Sequence, residues 1–294
     1  MSVTDAPPTP LVPVGLFHRL GLAVRGEPDE VVRWFERTLG AVSLQESEGG
    51  VPREGREGGP SSGETAVVLW LGDLPLAIFV VTGPGELSHF LDRNGPGMHS
   101  VAWSVDDNWT SESLLRQRGL RITGTSITGR HYYLHPRDTY GLLVELTDTD
   151  LHGDPREGAL LAQRTLEPVV DVRRLERVTS VVRDADAAVA FYGEVFGATV
   201  ADRGVTEHGD GWVDLRVTDV TLRLVQPAGG EGPFSTFLTE RGERMHSYTV
   251  AVPDLAAARE ALAAAGITVA YEGLESFWTD PATTFGMTME WVQA

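Results

Sequence analysis

At 294 residues the chain is long enough for about two ordinary domains, and 41% hydrophobic with 22% charged residues is typical of a globular protein. The formal net charge of −18 argues against a nucleic-acid partner, because a phosphate backbone needs a basic face, and it equally disfavours an anionic membrane surface. The chain has no cysteine, which excludes disulfides, thiolate metal sites and a cysteine nucleophile. Any metal would therefore be bound by His, Asp or Glu.

The N-terminal lead, residues 1–13, is rich in proline and lacks the basic start and the apolar stretch of a secretory signal. No apolar run in the chain approaches the ~20 residues that a helix needs to span a bilayer. We therefore expect a disordered lead on a cytoplasmic protein with no membrane partner.

The first predicted unit consists of a strand, a helix and three further strands. The strand positions that recur with a period of two are Leu16, His18, Leu20 and Leu22. The helix positions that recur with helical spacing are Val31, Val32, Phe35 and Leu39. Gly40 then ends the helix, and the runs TAVVLWLGD and LPLAIFVVT supply two of the later strands. The unit is βαβββ.

This βαβββ unit occurs four times, and a glycine follows each predicted helix: Gly40, Gly119, Gly197 and Gly266. A longer period joins the units in pairs, because FLDRNGPGMHSVAWSVDD, from Phe90, is nearly repeated as FLTERGERMHSYTVAVPD, from Phe237. The sequence therefore predicts an α+β fold of two paired-unit domains. Their predicted ranges are 14–150 and 172–294, joined by a polar linker over 151–171.

Paired βαβββ units with a histidine at the start of the first strand resemble the vicinal oxygen chelate superfamily. This superfamily includes glyoxalase I, methylmalonyl-CoA epimerase, extradiol dioxygenases and bleomycin resistance proteins. Three segments look like epimerase segments: HRLGLAV, FLDRNGPGMHSVAWSVDD and YLHPRDTYGLLVEL. The resemblance covers nearly the whole chain outside the lead and the linker. It implies that each pair of units forms a cup-shaped mixed sheet that holds a metal ion inside.

Carried over by position, the resemblance implies that His18, His99 and Glu145 are the metal ligands of the first domain. At a fourth family position the chain has Ala77, which cannot bind a metal. Two imidazoles and one carboxylate suit a divalent first-row metal and leave coordination positions open for substrate and O₂. Fe(II) is the first choice, and Mn, Co, Ni or Zn also fit these ligands.

The second domain has Glu176, His246, Glu290 and Arg223 at the positions of His18, His99, Glu145 and Ala77. An arginine among ligands would pair with a carboxylate and repel a cation. We therefore expect a degenerate, metal-free site in which Glu176, Arg223 and Glu290 form an ion-paired cluster. A second metal on the Glu176, His246 and Glu290 side chains stays open as the alternative.

The segment GRHYYLHP places His131 and Tyr133 on one face of a strand by period-two alternation. Extradiol dioxygenases have a similar GRH segment before their final glutamate. The resemblance implies an acid/base role for His131, and Tyr133 is the expected hydrogen-bond donor to bound oxygen. A surface hairpin rich in polar aromatic residues is the alternative interpretation.

Three functions are consistent with these residues. The first is a non-haem Fe(II) dioxygenase that acts on a small-molecule substrate bound through vicinal oxygens. The second is a metal-dependent epimerase, isomerase or lyase, which the epimerase-like segments favour and Ala77 disfavours. The third is a small-molecule-binding resistance protein that needs no catalytic metal. Bleomycin-type members act as dimers, so a homodimer is also considered.

Overall fold

The computed structural model describes residues 9–43, 63–124, 130–149, 151 and 167–294. Residues 1–8 of the predicted lead and 152–166 of the predicted linker lie outside these ranges. Within the described part of the chain, no helix is both long and apolar enough to cross a membrane.

The first sheet contains eight strands, and three helices lie between them in the chain. The elements, in chain order, are β1 (Phe17–Arg25), α1 (Pro28–Leu39), β2 (Val42–Ser43), β3 (Glu64–Leu71), β4 (Leu74–Val81), α2 (Glu86–Asn94), β5 (Gly97–Ser104), α3 (Asn108–Gln117), β6 (Ile122–Thr123), β7 (His131–Leu134) and β8 (Val144–Thr147). The strand order across the sheet is β2-β3-β4-β1-β5-β8-β7-β6.

The second sheet repeats this plan. Its elements are β9 (Arg174–Val181), α4 (Ala185–Phe196), β10 (Thr199–Val205), β11 (Gly211–Val217), β12 (Val220–Gln226), α5 (Pro233–Arg241), β13 (Arg244–Val252), α6 (Leu255–Ala264), β14 (Val269–Glu272), β15 (Ser276–Thr279), a 3₁₀ turn (Pro281–Thr283) and β16 (Met289–Gln293). The strand order, β10-β11-β12-β9-β13-β16-β15-β14, corresponds strand for strand to that of the first sheet.

Four βαβββ modules therefore build two mixed sheets, and the predicted α+β fold class is confirmed. In every module the first and the last strand are parallel neighbours: β1 and β4, β5 and β8, β9 and β12, β13 and β16. The short helices α2 and α5 precede the second module of each sheet. The domain boundaries at 150 and 172 remain predictions.

Helix α1 shows how the sequence pattern produces a module. Val31, Phe35 and Leu39 recur at helical spacing and are all buried, so one stripe of the helix contributes to the core. The helix ends at Gly40, whose φ of 72° is left-handed and whose N–H is bonded to the carbonyl of Glu36. Glycine adopts this conformation without the steric cost that a β-carbon would add.

The strand registers of the two sheets are equivalent. Gly21 of β1 lies opposite Ala77 of β4, and in the second sheet Thr179 of β9 lies opposite Arg223 of β12. The other strand pair matches in the same way, because Ala102 lies opposite Glu145 and Thr249 lies opposite Glu290. Positions can therefore be compared between the sheets residue by residue.

The described residues also fall into two compact units, each with one module from each sheet. One unit holds residues 9–18 and 101–149 together with Val178–His246. The other holds Arg19–Ser100, residues 151 and 167–177, and Ser247–Ala294.

Candidate functional site

Glu145 marks one face of the first sheet. It is fully buried on β8, opposite Ala102 of β5 on one side and Tyr133 of β7 on the other. Paired residues of neighbouring strands point to the same side of a sheet, and side chains alternate along each strand. Tyr133 and His131 therefore lie on the same face as Glu145, and the rings of His131 and Tyr133 are 5.8 Å apart in an edge-to-face arrangement. We call this surface the Glu145 face.

His99 of β5 lies in aromatic surroundings. Because Ala102 is on the Glu145 face, alternation along β5 puts Ser100 on that face, and Nδ1 of His99 lies 3.2 Å from the Ser100 hydroxyl. The His99 ring contacts the rings of Phe90 and Phe79, with centroids 4.9 and 5.6 Å apart. Burial lowers the pKa of His99 to about 4, so the imidazole is neutral at physiological pH.

His18 is held by the backbone at the end of β8. Its Nε2 lies 2.8 Å from the carbonyl oxygen of Thr149, and the side chain is buried. A carbonyl oxygen only accepts hydrogen bonds, so Nε2 carries the proton and donates it. That nitrogen is therefore not available as a metal ligand in this arrangement, and the contact fixes the ring beside the chain that follows β8.

The predicted metal site is not assembled in the described part of the chain. Across 9–43, 63–124, 130–149, 151 and 167–294, no group of three or more His, Asp or Glu side chains is placed to hold a metal ion. The predicted set of His18, His99 and Glu145 is thus not such a group among the described residues, and Nε2 of His18 is bonded to the carbonyl of Thr149 instead. Ala77 adds no donor atom, so these residues do not fit the divalent metal that the resemblance implies.

In the second sheet an arginine binds the equivalent carboxylate. Nη2 of Arg177 lies 2.9 Å from Oε2 of Glu290, and the hydroxyl of Thr249 donates to the same oxygen. The two charged side chains are only 17% and 13% exposed, so the pair is shielded from water. Glu290 is therefore neutralised by a cation of the protein itself.

Arg223 pairs with a carboxylate, as predicted, but the partner is Asp214. Two hydrogen bonds of 2.7 Å join the guanidinium to the two oxygens of Asp214, and the guanidinium carbon lies 4.0 Å from the centre of the Trp212 ring. Glu176 pairs with Arg174 on its own strand. The predicted cluster of Glu176, Arg223 and Glu290 is thus corrected, because Arg177 and Asp214 pair with Glu290 and Arg223 and leave Glu176 to Arg174.

The repeated histidine of the two FL…MHS segments makes one equivalent aromatic contact in both sheets. His246 is buried, and its ring centroid lies 4.8 Å from those of Phe237 and Phe234. The phenylalanine and the histidine of each repeated segment therefore pack against each other, Phe90 on His99 and Phe237 on His246. This contact gives the repeat a structural role.

The Glu290 face also carries an aromatic pair. Trp278 of β15 lies opposite Glu290, and Tyr271 of β14 lies opposite Trp278. The two rings are 4.4 Å apart and inclined by 35°. Trp278 occupies the register position of Tyr133, so each sheet places an aromatic side chain next to its buried or largely buried glutamate.

Comparison with known proteins adds three findings. Residues 177–279 match the model of the "Glyoxalase/Bleomycin resistance protein/Dioxygenase superfamily". The ethylmalonyl-CoA/methylmalonyl-CoA epimerase of Cereibacter sphaeroides is 27% identical over 45% of this chain and 97% of its own length, and the mitochondrial methylmalonyl-CoA epimerase of Bos taurus is 28% identical over 47% and 73%. A triple mutant of 4-hydroxymandelate synthase from Streptomyces coelicolor covers 96% of this chain and 93% of its own with a TM-score of 0.68. At 17% identity this last match shows the shared fold.

Proposed function

We propose that this chain, in which residues 177–279 match the Glyoxalase/Bleomycin resistance protein/Dioxygenase superfamily, is a small-molecule-binding protein whose ligand sites need no metal ion. The observation that carries the proposal is the buried ion pair of Arg177 with Glu290, together with Arg19 and Ser100 at the equivalent strand positions of the first sheet. Of the functions that the resemblance implies, binding without a catalytic metal is the one that these residues support best.

The aromatic side chains beside the two glutamates support ligand binding. Tyr133 and His131 are partly exposed on the Glu145 face, and Tyr271 is partly exposed beside Trp278 on the Glu290 face. Aromatic rings with a polar atom at the edge bind planar organic molecules through ring stacking and fix their orientation through hydrogen bonds. A small organic molecule with planar groups is therefore the ligand class that these faces suit.

Calorimetric titration in the presence of EDTA tests this function, with bleomycin, methylmalonyl-CoA and catechol as the probes. We expect at least one probe to bind with an affinity that EDTA leaves unchanged. Replacing Tyr133 or Trp278 by alanine should weaken this binding by roughly tenfold, about 1.4 kcal/mol, as expected for the loss of one ring contact. Trp109, which is 70% exposed, provides the control, and Trp109→Ala should leave binding unchanged. Binding that requires added metal, or no binding of any probe, would defeat the proposal.

A second candidate function is metal-dependent epimerisation, because the epimerase of Cereibacter sphaeroides matches this chain over 97% of its own length. It would require His18, His99 and Glu145 to come together around an ion, with His131 as the acid/base and Tyr133 as a hydrogen-bond donor. Exchange of the C2 proton of methylmalonyl-CoA with solvent, dependent on added Co²⁺ and lost in Glu145→Gln, would favour this function. The dioxygenase function is supported by the fold alone, and iron together with substrate-dependent O₂ uptake would favour it.

A further inference from the structure

We infer that the guanidinium of Arg177 is the resident cation of the second sheet and takes the place that a metal ion would have on Glu290. This inference concerns the second sheet only. It rests on the proposed metal-free function there, and it does not depend on which ligand binds.

The contact geometry is the first argument. Arg177 reaches the Glu290 carboxylate with Nη2 at 2.9 Å, and the hydroxyl of Thr249 donates to the same oxygen. Both charged side chains are more than four-fifths buried. A carboxylate in such surroundings needs a compensating positive charge, and an arginine supplies one at every pH at which the protein folds.

The strand positions are the second argument. Arg177 is two residues before Thr179, the β9 residue that pairs with Arg223, and Ser247 is two residues before Thr249, the β13 residue that pairs with Glu290. Alternation therefore places Ser247 on the Glu290 face, and the ion pair shows that Arg177 reaches the same side. Three residues of this face, on three different strands, are thus arginine, serine and glutamate.

The first sheet has the same three residue types at the equivalent positions. Arg19 is two residues before Gly21, Ser100 is two residues before Ala102, and Glu145 lies opposite Ala102. Arginine, serine and glutamate thus recur at the same strand positions in both sheets. We take this to indicate a structural role for the arginine, since a chance surface charge would not recur at the same register.

The inference predicts that two substitutions convert the second sheet into a metal site. Arg177→His removes the competing cation, and with Ser247→His it gives two imidazoles and a carboxylate on one face, a set that suits Co²⁺ and Zn²⁺. We expect the double variant R177H/S247H to bind one Co²⁺ per chain at least roughly tenfold more tightly than the wild type, with the visible absorption of coordinated cobalt. Adding Glu290→Gln should abolish this gain.

The matched control is R174H/S247H, because Arg174 is on the same strand but pairs with Glu176 and is 54% exposed. This control should bind Co²⁺ no better than the wild type. If R177H/S247H does not fold by circular dichroism, Arg177→His alone is titrated, and it should bind Co²⁺ more tightly than Arg174→His.

The inference is overturned if the folded Arg177 variants gain no Co²⁺ affinity over their controls, or if the wild type already binds Co²⁺ on Glu290. These outcomes differ from a failure of the proposed function, which would appear as metal-dependent binding of the organic probes by the wild type.

Discussion

At the scale of single residues, the side chains that surround each glutamate decide what the two sheets can do. Glu145 is fully buried, and Glu290 is largely buried with Arg177 bonded to it. Burial of a carboxylate is costly unless a partner compensates it, so such residues are retained only where the surroundings stabilise their charge. The side chain of Arg177, which is bonded to Glu290, is therefore important for the stability of the second sheet.

The Arg177–Glu290 pair should be measurable as a coupling free energy. Arg177→Met or Glu290→Gln alone leaves one buried charge without its partner, and each should lower the free energy of unfolding by about 2–3 kcal/mol. The double variant should lose less than the sum of the two single variants, with a coupling of about 2 kcal/mol in urea unfolding.

The control for this cycle is the pair Arg174 and Glu176, whose side chains are 54% and 27% exposed. Solvent screens such a pair, so its coupling should stay below about 1 kcal/mol. Equal coupling free energies for the two pairs would show that burial does not strengthen the contact of Arg177 with Glu290.

His99 and Ser100 show why the sequence alone does not determine which residue of β5 faces Glu145. Alternation assigns a face only when one side of a strand is polar, but in MHSVAWSV both sets of alternating positions contain apolar or small residues. A shift of one residue moves every side chain to the other face, and the resemblance pointed to His99, whereas the strand register places the neighbouring Ser100 on the Glu145 face. The same shift led to Glu176 instead of Arg177. The signal that could have found the arginine is its recurrence as Arg19.

At the scale of elements, the helix before each second module and the strand after it form a packing unit. Phe90 of α2 contacts His99 of β5, and Phe237 of α5 contacts His246 of β13. The histidine of each pair acts as an aromatic ring between a helix and a strand. The repeated FL…MHS sequence therefore reflects the same helix-to-strand contact in both sheets, between α2 and β5 and between α5 and β13. This contact gives the repeat a structural reason that does not require a metal.

This packing predicts a dependence of stability on pH. Burial lowers the pKa of His99 to about 4, whereas an unfolded chain has the ordinary value of about 6.5. Between these values the unfolded state binds the proton and the folded state does not, so the free energy of unfolding falls as the pH drops from about 6.5 to 4. The full loss amounts to about 3 kcal/mol.

Urea unfolding of His99→Phe at pH 7 and pH 5 measures this effect. Phenylalanine keeps the ring contact but has no proton to gain, so the variant should lose less stability between the two pH values than the wild type does. His89, which is exposed on α2, gives the control His89→Gln, and its pH dependence should equal that of the wild type. Identical pH dependence of His99→Phe and the wild type would contradict the assigned environment.

The elements themselves were predictable from the sequence. Helical spacing, glycine stops and period-two alternation are local signals, and the fourfold repetition identified the modules and their pairing. The contacts that decide function join residues far apart in the chain, such as Arg177 with Glu290, and they depend on strand register. Register follows from the assembled sheet, so local patterns do not fix it.

At the scale of the whole molecule, two sheets of equal strand order carry the same three residue types at equivalent positions. In each sheet a glutamate stands on the last strand of the second module, and arginine and serine stand at equivalent positions on the two central strands. The net charge of −18 favours the approach of cations from solution, yet the second sheet supplies its own cation. A homodimer and a cytoplasmic location remain predictions.

Elemental analysis of the wild-type chain, purified anaerobically without chelators, tests the absence of a resident metal most directly. We expect far less than one iron, manganese, cobalt, nickel or zinc ion per chain, and no difference between the wild type and Glu145→Gln. One bound ion per chain that is lost in both His18→Ala and Glu145→Gln but kept in His246→Ala would contradict the account and restore the metal site of the first sheet.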